Sequence, residues 1–493
     1  MNIQPIVIFD KHSKAAVAVK LRTAMKLLKI KRLVPAAIVS VLIAGCASNS
    51  SSPSSASSAK STPPLVKHVV LISLDGSRPE FYMDTSWPAP HLQQLKNEGV
   101  YASKGVQSVF PSITYPSHTT IVTGAYPAEH GVYYNQPFEA RPGHAYWYAG
   151  TIKCETLWDA VRAAGLTSGS VYWPLTVGAP VNYLFPIRRP EEGEKGNQLS
   201  LTIPYIRPRD LLDEVEQKTG VKFNGTSFAI KQDYRESKNI AIISNYIIKT
   251  YKPNFMALHF VGLDHQQHAH GTDSPQLRAV LKVTDSLVGT VMQAIKDAGI
   301  WDSTAVIITG DHGHTDVKAT FAPNVYLAQH GLVSKDDWRA KFNAAGGSAF
   351  LYLKKQGDQA AVNSVMDILK NTSEYKDGDF RILDSAELKK VGGNPNTPLA
   401  LAMKAGISVS NAIDGKTFRT HQPPYRSTHG FDPTYPSMHT TFIALGAGIG
   451  PHRDISGMGI KDIAPLVAKL LGLDFKAPDG VLIPGILAGQ DSK

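Results

Sequence analysis

Thr114 stands in the stretch Phe110-Pro-Ser-Ile-Thr-Tyr-Pro-Ser-His118, between an apolar run, Val100 to Val109, and a helix-like run, Pro116 to Thr123. A hydroxyl at a strand-to-helix turn has backbone N–H groups and a helix dipole beside it, and both favour an anion. Ser112 offers a second hydroxyl in the same stretch. Three further stretches carry an apolar run into a carboxylate: Val69 to Asp75, Phe255 to Asp264 with His268 four residues on, and Ala305 to Asp311 with His312 next to it. A last piece, Ser427-Thr-His429-Gly-Phe-Asp432, lies well downstream. In open α/β sheets ligands bind beyond the carboxyl ends of the strands, so three strands ending in Asp describe one site assembled from distant segments. Asp and His in such numbers suit zinc, and a catalytic zinc keeps one position open for water or substrate. A lone Asp or His at a strand end is usually a cap or turn residue. Six of them together, Asp75, Asp264, His268, Asp311, His312 and His429, are not explained that way.

The elements that must position these residues alternate. Strand-like runs fall at Val69–Leu74, Val100–Val109, Ser168–Tyr172, Phe255–Leu263, Ala305–Thr309, Ala349–Leu353 and Thr440–Leu445. Helix-like runs fall between them, among them Ala89–Glu98, Thr156–Ala164, Ile240–Tyr251, Gln276–Ala298 and Asp462–Leu471. Continuous apolar strands alternating with helices predict an α/β fold with a largely parallel sheet covered on both faces. Two regions break the pattern. Residues 174–235 are rich in Pro, Gly and charge, including Arg188-Arg189-Pro190. Residues 316–425 are too long for one loop, and predict a smaller inserted subdomain packed beside the site.

The pieces Leu74-Asp75-Gly76, Thr114-Tyr-Pro-Ser-His118, Tyr126-Pro-Ala-Glu-His-Gly131, Asp264-His-Gln-Gln-His268, Asp311-His312-Gly313 and Thr428-His429-Gly430 occur in this order and span most of the chain after residue 65. The set resembles the nucleotide pyrophosphatase/phosphodiesterase branch of the alkaline phosphatase superfamily. That resemblance implies an alkaline-phosphatase-like α/β/α sandwich and two zinc ions, one held by Asp75, Thr114, Asp311 and His312, the other by Asp264, His268 and His429. Two metals about 4 Å apart relieve charge on both the entering and leaving oxygens of an in-line displacement at phosphorus. Thr114, a poor nucleophile at its free pKa, would be activated there, attack phosphorus and pass through a phosphothreonine.

Asn135 occupies the place where the family puts an Asn that binds a non-bridging phosphate oxygen. A neutral amide suits a diester with one negative oxygen; a monoesterase of the alkaline phosphatase type uses an Arg fork, and no such Arg is evident in the sequence. Tyr115 would stack on a base or another planar group, and Trp173-Pro174 resembles a Trp-Pro stretch of the substrate region. The family usually has Asn where Ser117 stands and a residue other than His at position 314, which bears on fine substrate choice but leaves the metal set intact. His118, His265, His270 and His314 fit supporting or structural roles. The implied reaction is hydrolysis of a phosphodiester or pyrophosphate bond, of nucleotides, releasing a nucleoside monophosphate. The alternatives are a phosphonate or lipid-head-group hydrolase on the same metals, or a ligand-binding lipoprotein without catalysis. Sulfatase is disfavoured, since the Cys/Ser-x-Pro-x-Arg signature is absent at the nucleophile.

The chain has 493 residues with a formal charge of +10. Eight of its Lys/Arg residues but only one acid, Asp10, lie within residues 1–45, and the remainder, 43 basic against 40 acidic residues, is nearly balanced. A nucleic-acid partner is therefore not expected. Lys26 to Arg32, the apolar Leu33 to Ile43 and Ile43-Ala-Gly-Cys46 have the order of an export signal, and translation could start at Met1 or Met25. The last tetrapeptide resembles a bacterial lipobox, which implies acylation at Cys46, a membrane anchor and a periplasm-facing, outer-membrane location. The Ser-, Ala- and Pro-rich residues 46–64 read as a flexible tether to a catalytic domain over 65–493. Cys154, the other cysteine, reads as a structural thiol.

Overall fold

The computed structural model describes residues 63–493 apart from 139–145, 192, 230–233, 424–425 and 490–493. The expected signal segment, Cys46 and almost all of the tether lie outside the described residues.

The central sheet has eight strands in the order Arg453–Asp454, Val100–Tyr101, Phe442–Gly446, Thr304–Thr309, His68–Leu74, Phe255–Phe260, Ser168–Val171 and Tyr183–Phe185. All neighbours pair parallel except around Phe442–Gly446, which runs antiparallel to both its partners. The apolar runs are continuous because both faces are covered. Val70, Ile72 and Leu74 enter one core with Met256, Leu258 and Phe260. Val69 and Leu71 enter the opposite core with Phe255, Ala257, Ala305 and Ile307. Alternate side chains of each strand thus feed opposite layers, as the pleat requires, and the molecule is an alkaline-phosphatase-like α/β/α sandwich.

Several element boundaries differ from the sequence expectation. Val100–Val109 is a strand only over Val100–Tyr101. The rest of that run is irregular and touches the sheet region through single bridges, Val106 to Thr440 and Gln107 to Gly459. Apolar residues there are buried in turns, which hydropathy alone does not separate from strand. The run at Phe255 stops at Phe260, and the helix Gly262–His270 begins two residues later. Ala349–Leu353 lies within a strand, Ser348–Leu353, of a separate antiparallel sheet rather than in the central one.

That separate sheet belongs to the segment after Asp311-His312. Strands Thr315–Asp316 and Ser427–Thr428 pair antiparallel and form a neck. Between them the chain builds a four-stranded and a three-stranded sheet around a core of their own. Cys154 is half-buried, and burial pushes its thiol up. Among the described residues no helix is long and apolar enough to cross a membrane.

Candidate active site

Three neighbouring parallel strands end side by side. Leu74 pairs with Phe260 and Ser73 with Thr309, so Asp75 and Asp311 leave the sheet at the same edge, and the Asp264 helix follows directly on the neighbouring strand Phe255–Phe260. On that helix Asp264 and His268 are four residues apart and share a face. His429 comes from the neck. Thr114 is the first residue of the helix Thr114–Thr123, with Ile113 extended before it, so its hydroxyl stands at the positive end of the helix.

All seven expected metal-binding residues meet here. The ligating atoms of Asp75, Asp311 and His312 lie within 4.8 Å of one another, as do those of Asp264, His312, His314 and His429. His268 Nε2 is 3.2 Å from Asp264 Oδ1. Thr114 Oγ1 is 3.3 Å from His312 Nε2.

The imidazole tautomers are decided by their outer partners. A carbonyl can only accept, so the ring Nδ1–H of His268 donates to the Ser427 carbonyl, that of His312 to Gly313 and that of His429 to Ser112. A neutral ring bonded in this way turns its Nε2 lone pair the other way, and in two of the three it faces carboxylate oxygens, Asp264 Oδ1 for His429 and Asp75 Oδ1 and Asp311 Oδ2 for His312, while His268 Nε2 meets Asp264 Oδ1 as an ion pair. Asp75 Oδ1 and Asp311 Oδ2 are buried with no hydrogen-bond donor. Acceptors facing acceptors are stable only around a cation, and imidazole held by an outer carbonyl is the usual zinc-ligand arrangement. The donor set fits metal ions.

The charges agree. Burial, then the nearby Asp264 carboxylate, pushes Asp75 well above the usual range; burial and then Asp75 do the same to Asp311. Burial alone would also raise Asp264, but His268 and His314 hold it well below. Burial pushes His268 down, yet the Asp264 carboxylate reverses this and holds the imidazole up at about 9. These are carboxylates in want of positive charge, from a proton or a metal.

The structure also separates the two hydroxyls. Ser112 Oγ is buried and lies 3.0 Å from both the Val109 and the Phe431 carbonyl, so it serves the turn. Thr114 faces the cluster. Beneath it His118 donates Nδ1–H to the Thr114 carbonyl at 2.8 Å and accepts from Ser73 Oγ at 2.9 Å. Asn135 Oδ1 accepts the Tyr115 N–H at 2.9 Å, which leaves its amide NH2 available. Tyr115 packs edge-on against Trp147, with ring centroids 6.0 Å apart.

Trp173 requires a correction. It is 0 % exposed and packs edge-on to His118 and Trp158, so no substrate touches it. Tyr172, with φ 62°, turns the chain at the strand end and sends Trp173 into the layer opposite to Tyr172 itself.

The tertiary structure gives His314 its supporting contact and adds His259 and Arg189 to the site. His314 hydrogen-bonds Asp264 Oδ1 at 2.8 Å and Ser427 Oγ at 3.0 Å. His259 reaches Asp75 Oδ2 at 3.1 Å from the adjacent strand, where its pairing with Ser73 could have signalled it. Arg189, from the charged region 174–235, lies close enough for its positive charge to bear on Tyr115 and Asp75.

The chain matches the model of the type I phosphodiesterase / nucleotide pyrophosphatase family over residues 69–432. It belongs to that family. As a family member it is a phosphodiester-cleaving hydrolase, and metal dependence accords with its buried Asp and His groups. Bis(5'-adenosyl)-triphosphatase enpp4 of Mus musculus is 23% identical over 426 residues, 84% of this chain and 79% of that protein. Ectonucleotide pyrophosphatase/phosphodiesterase family member 7 of Mus musculus is 25% identical over 432 residues, 85% of this chain and 86% of that protein. Among solved structures, human ectonucleotide pyrophosphatase/phosphodiesterase 5 has the same fold, with TM-score 0.61 at 19% identity, covering 84% of this chain and 97% of that one. An inactive form of the murine protein in complex with AMP superposes with TM-score 0.60 at 18% identity, over 84% of this chain and 97% of that one.

Proposed function

We propose that the chain is a two-zinc phosphodiesterase that cleaves a phosphodiester or pyrophosphate bond of a nucleotide and releases a nucleoside monophosphate. The observation that carries this reading is Thr114 Oγ1 at a helix N-terminus, 3.3 Å from an Nε2 lone pair of a buried His/Asp cluster. Asp75, Asp311 and His312 with Thr114, and Asp264, His268 and His429, would hold the metals, which when bound supply positive charge for the oxygens entering and leaving phosphorus. The Thr114 oxygen forms a bond to phosphorus as the bond to the leaving oxygen breaks, giving a phosphothreonine that water then cleaves. The Asn135 NH2 group and the Thr114 N–H would face the non-bridging oxygens, since Asn135 Oδ1 takes the Tyr115 N–H and the Ile113 carbonyl takes that of Ser117. Tyr115 and Trp147 form an aromatic wall for a planar group. A relative that cleaves a bis-adenosyl triphosphate and a structural neighbour that binds AMP both point to a nucleoside monophosphate unit.

The test compares a nucleoside 5'-(p-nitrophenyl phosphate) diester with p-nitrophenyl phosphate. Preference for the diester, lost in Thr114→Ala and on chelation, is the expected result. Preference for the monoester would overturn the role of Asn135, and zinc binding without activity on either ester would redirect the search to phosphonates or lipid head groups.

From the sequence we further propose that residues 1–45 are an export signal and that Cys46 carries a lipid. Metabolic labelling with a fatty acid should mark the wild type and not Cys46→Ser; equal labelling of both would remove the anchor from the proposal.

A further inference from the structure

Arg188 and Arg189 are neighbours with different company. Arg188 is neutralised: its Nη2 makes 2.8 Å bonds to both oxygens of Glu194, and its guanidinium lies 5.8 Å from the Trp147 ring centroid. Arg189 has no carboxylate so close, and the nearest group to its charge is the Tyr172 hydroxyl. Its nearest acid is Glu236, at 3.9 Å from Nη2, beyond hydrogen-bond reach. Glu236 already accepts the Tyr172 hydroxyl, which in turn is held by the Gln198 amide. Burial pushes Glu236 up to about 7, against the pull of Arg189, which makes it a weak counter-ion. The Arg189 Nε is buried and has no hydrogen-bond acceptor among the described residues. A buried donor without an acceptor is uncommon in native proteins, and a bound anion or water is one usual completion.

The position of Arg189 gives that deficit a purpose. Its side chain is 33% exposed. Tyr172, whose hydroxyl meets Glu236, accepts His259 Nδ1–H at its carbonyl (3.3 Å), and His259 Nε2 lies 3.1 Å from Asp75 Oδ2. The Glu236–Tyr172–Gln198 group holds Arg189 there. Arg188 braces the other side of the same wall through Trp147, whose ring meets Tyr115.

We propose that Arg189 binds a second anionic group of the substrate, a phosphate beyond the scissile one, so that the site prefers pyrophosphate-linked substrates over simple diesters. This rests on the phosphodiesterase reading above and narrows its substrate class. A planar guanidinium suits phosphate because its N–H groups match pairs of phosphate oxygens. The Asn135 amide and the Thr114 turn serve the scissile phosphorus, while Arg189, outside the metal cluster, serves its neighbour.

The test uses the purified full chain and two variants, Arg189→Ala and Arg189→Gln, the second keeping most of the side-chain packing. Kinetics are measured on ADP, which carries a second phosphate, and on bis(p-nitrophenyl) phosphate, which does not. Loss of one charge-assisted contact should lower kcat/KM on ADP at least about tenfold more than on the simple diester, chiefly through KM. Equal losses on both substrates, or none on ADP, would overturn the proposal. Calorimetric binding of inorganic pyrophosphate separates it from the parent reading. If the wild type cleaves neither substrate, the phosphodiesterase reading fails, and pyrophosphate binding that weakens in both variants still upholds Arg189 as an anion site. Pyrophosphate binding that is absent or indifferent to Arg189 rejects it.

Discussion

The two halves of the site are built differently. Asp75, Asp311 and His312 sit at the ends of two adjacent central strands and are buried. Asp264, His268 and His429 come from a helix and from the neck of the inserted segment, and the His268 side chain is 38% exposed. The neck half is held from the insertion side: the Gly347 N–H donates to the His429 carbonyl, and Arg381 bonds Asp432 at 2.8 Å. Gly346 and Gly430 both have positive φ, and a Cβ would come within 2.0 Å of a backbone oxygen of the facing segment, that of His429 for the first and Ala345 for the second. One half therefore inherits the rigidity of the sheet, whereas the other depends on how the inserted segment closes on the core.

Breaking the sheet-borne half should cost most. Thr114→Ala should lower kcat on a nucleotide diester by roughly a thousandfold or more with the melting temperature little changed, the behaviour of a lost nucleophile. Activity within tenfold of wild type would mean that another group attacks. The neck half is tested by Gly346→Ala, whose Cβ would displace the His429 backbone. It should lose metal from one of two sites, seen as a drop towards one bound zinc per chain, and should destabilise the fold by about 1–3 kcal/mol. Unchanged metal content would mean that the neck half does not need the insertion.

Smaller effects sharpen the contrast. His314→Asn removes the imidazole that orients Asp264. Affinity for the metal at the neck half should fall roughly 10–100-fold, the usual effect of losing such an outer partner, while the other half keeps its metal. A competitive zinc titration reads both. Trp173→Phe should be the mildest. As a buried residue behind His118 it should cost about 1–3 kcal/mol of stability in a denaturant melt and leave KM within about twofold. A large rise in KM with unchanged stability would return Trp173 to the substrate pocket.

Much of this was legible before any coordinates. A carboxylate at the end of an apolar run is a local pattern, so Asp75 and Asp311 could be read directly. Asp264 and His268 at four-residue spacing could be assigned to one helix face once the run ended at Phe260. The Val100–Val109 run misled because burial in a turn and burial in a strand leave the same hydropathy. Trp173 misled because a single left-handed residue, Tyr172, decides which layer the next side chain enters. Ser112 and Thr114 could not be fully separated from sequence, since a nearby carbonyl, Val109, and a distant one, Phe431, together decide which hydroxyl is free.

The sequence by itself determined the alternating α/β plan, the donor types, their order and the family, because each is written in short segments and in the period of hydrophobic residues. Only the tertiary structure decided the imidazole tautomers, the joining of the inserted segment to His429 and the approach of Arg189 to Tyr115. Apart from the His312 ring, whose outer partner is the next residue, those depend on contacts between residues tens to hundreds of positions apart, and packing, not local preference, sets which of them meet.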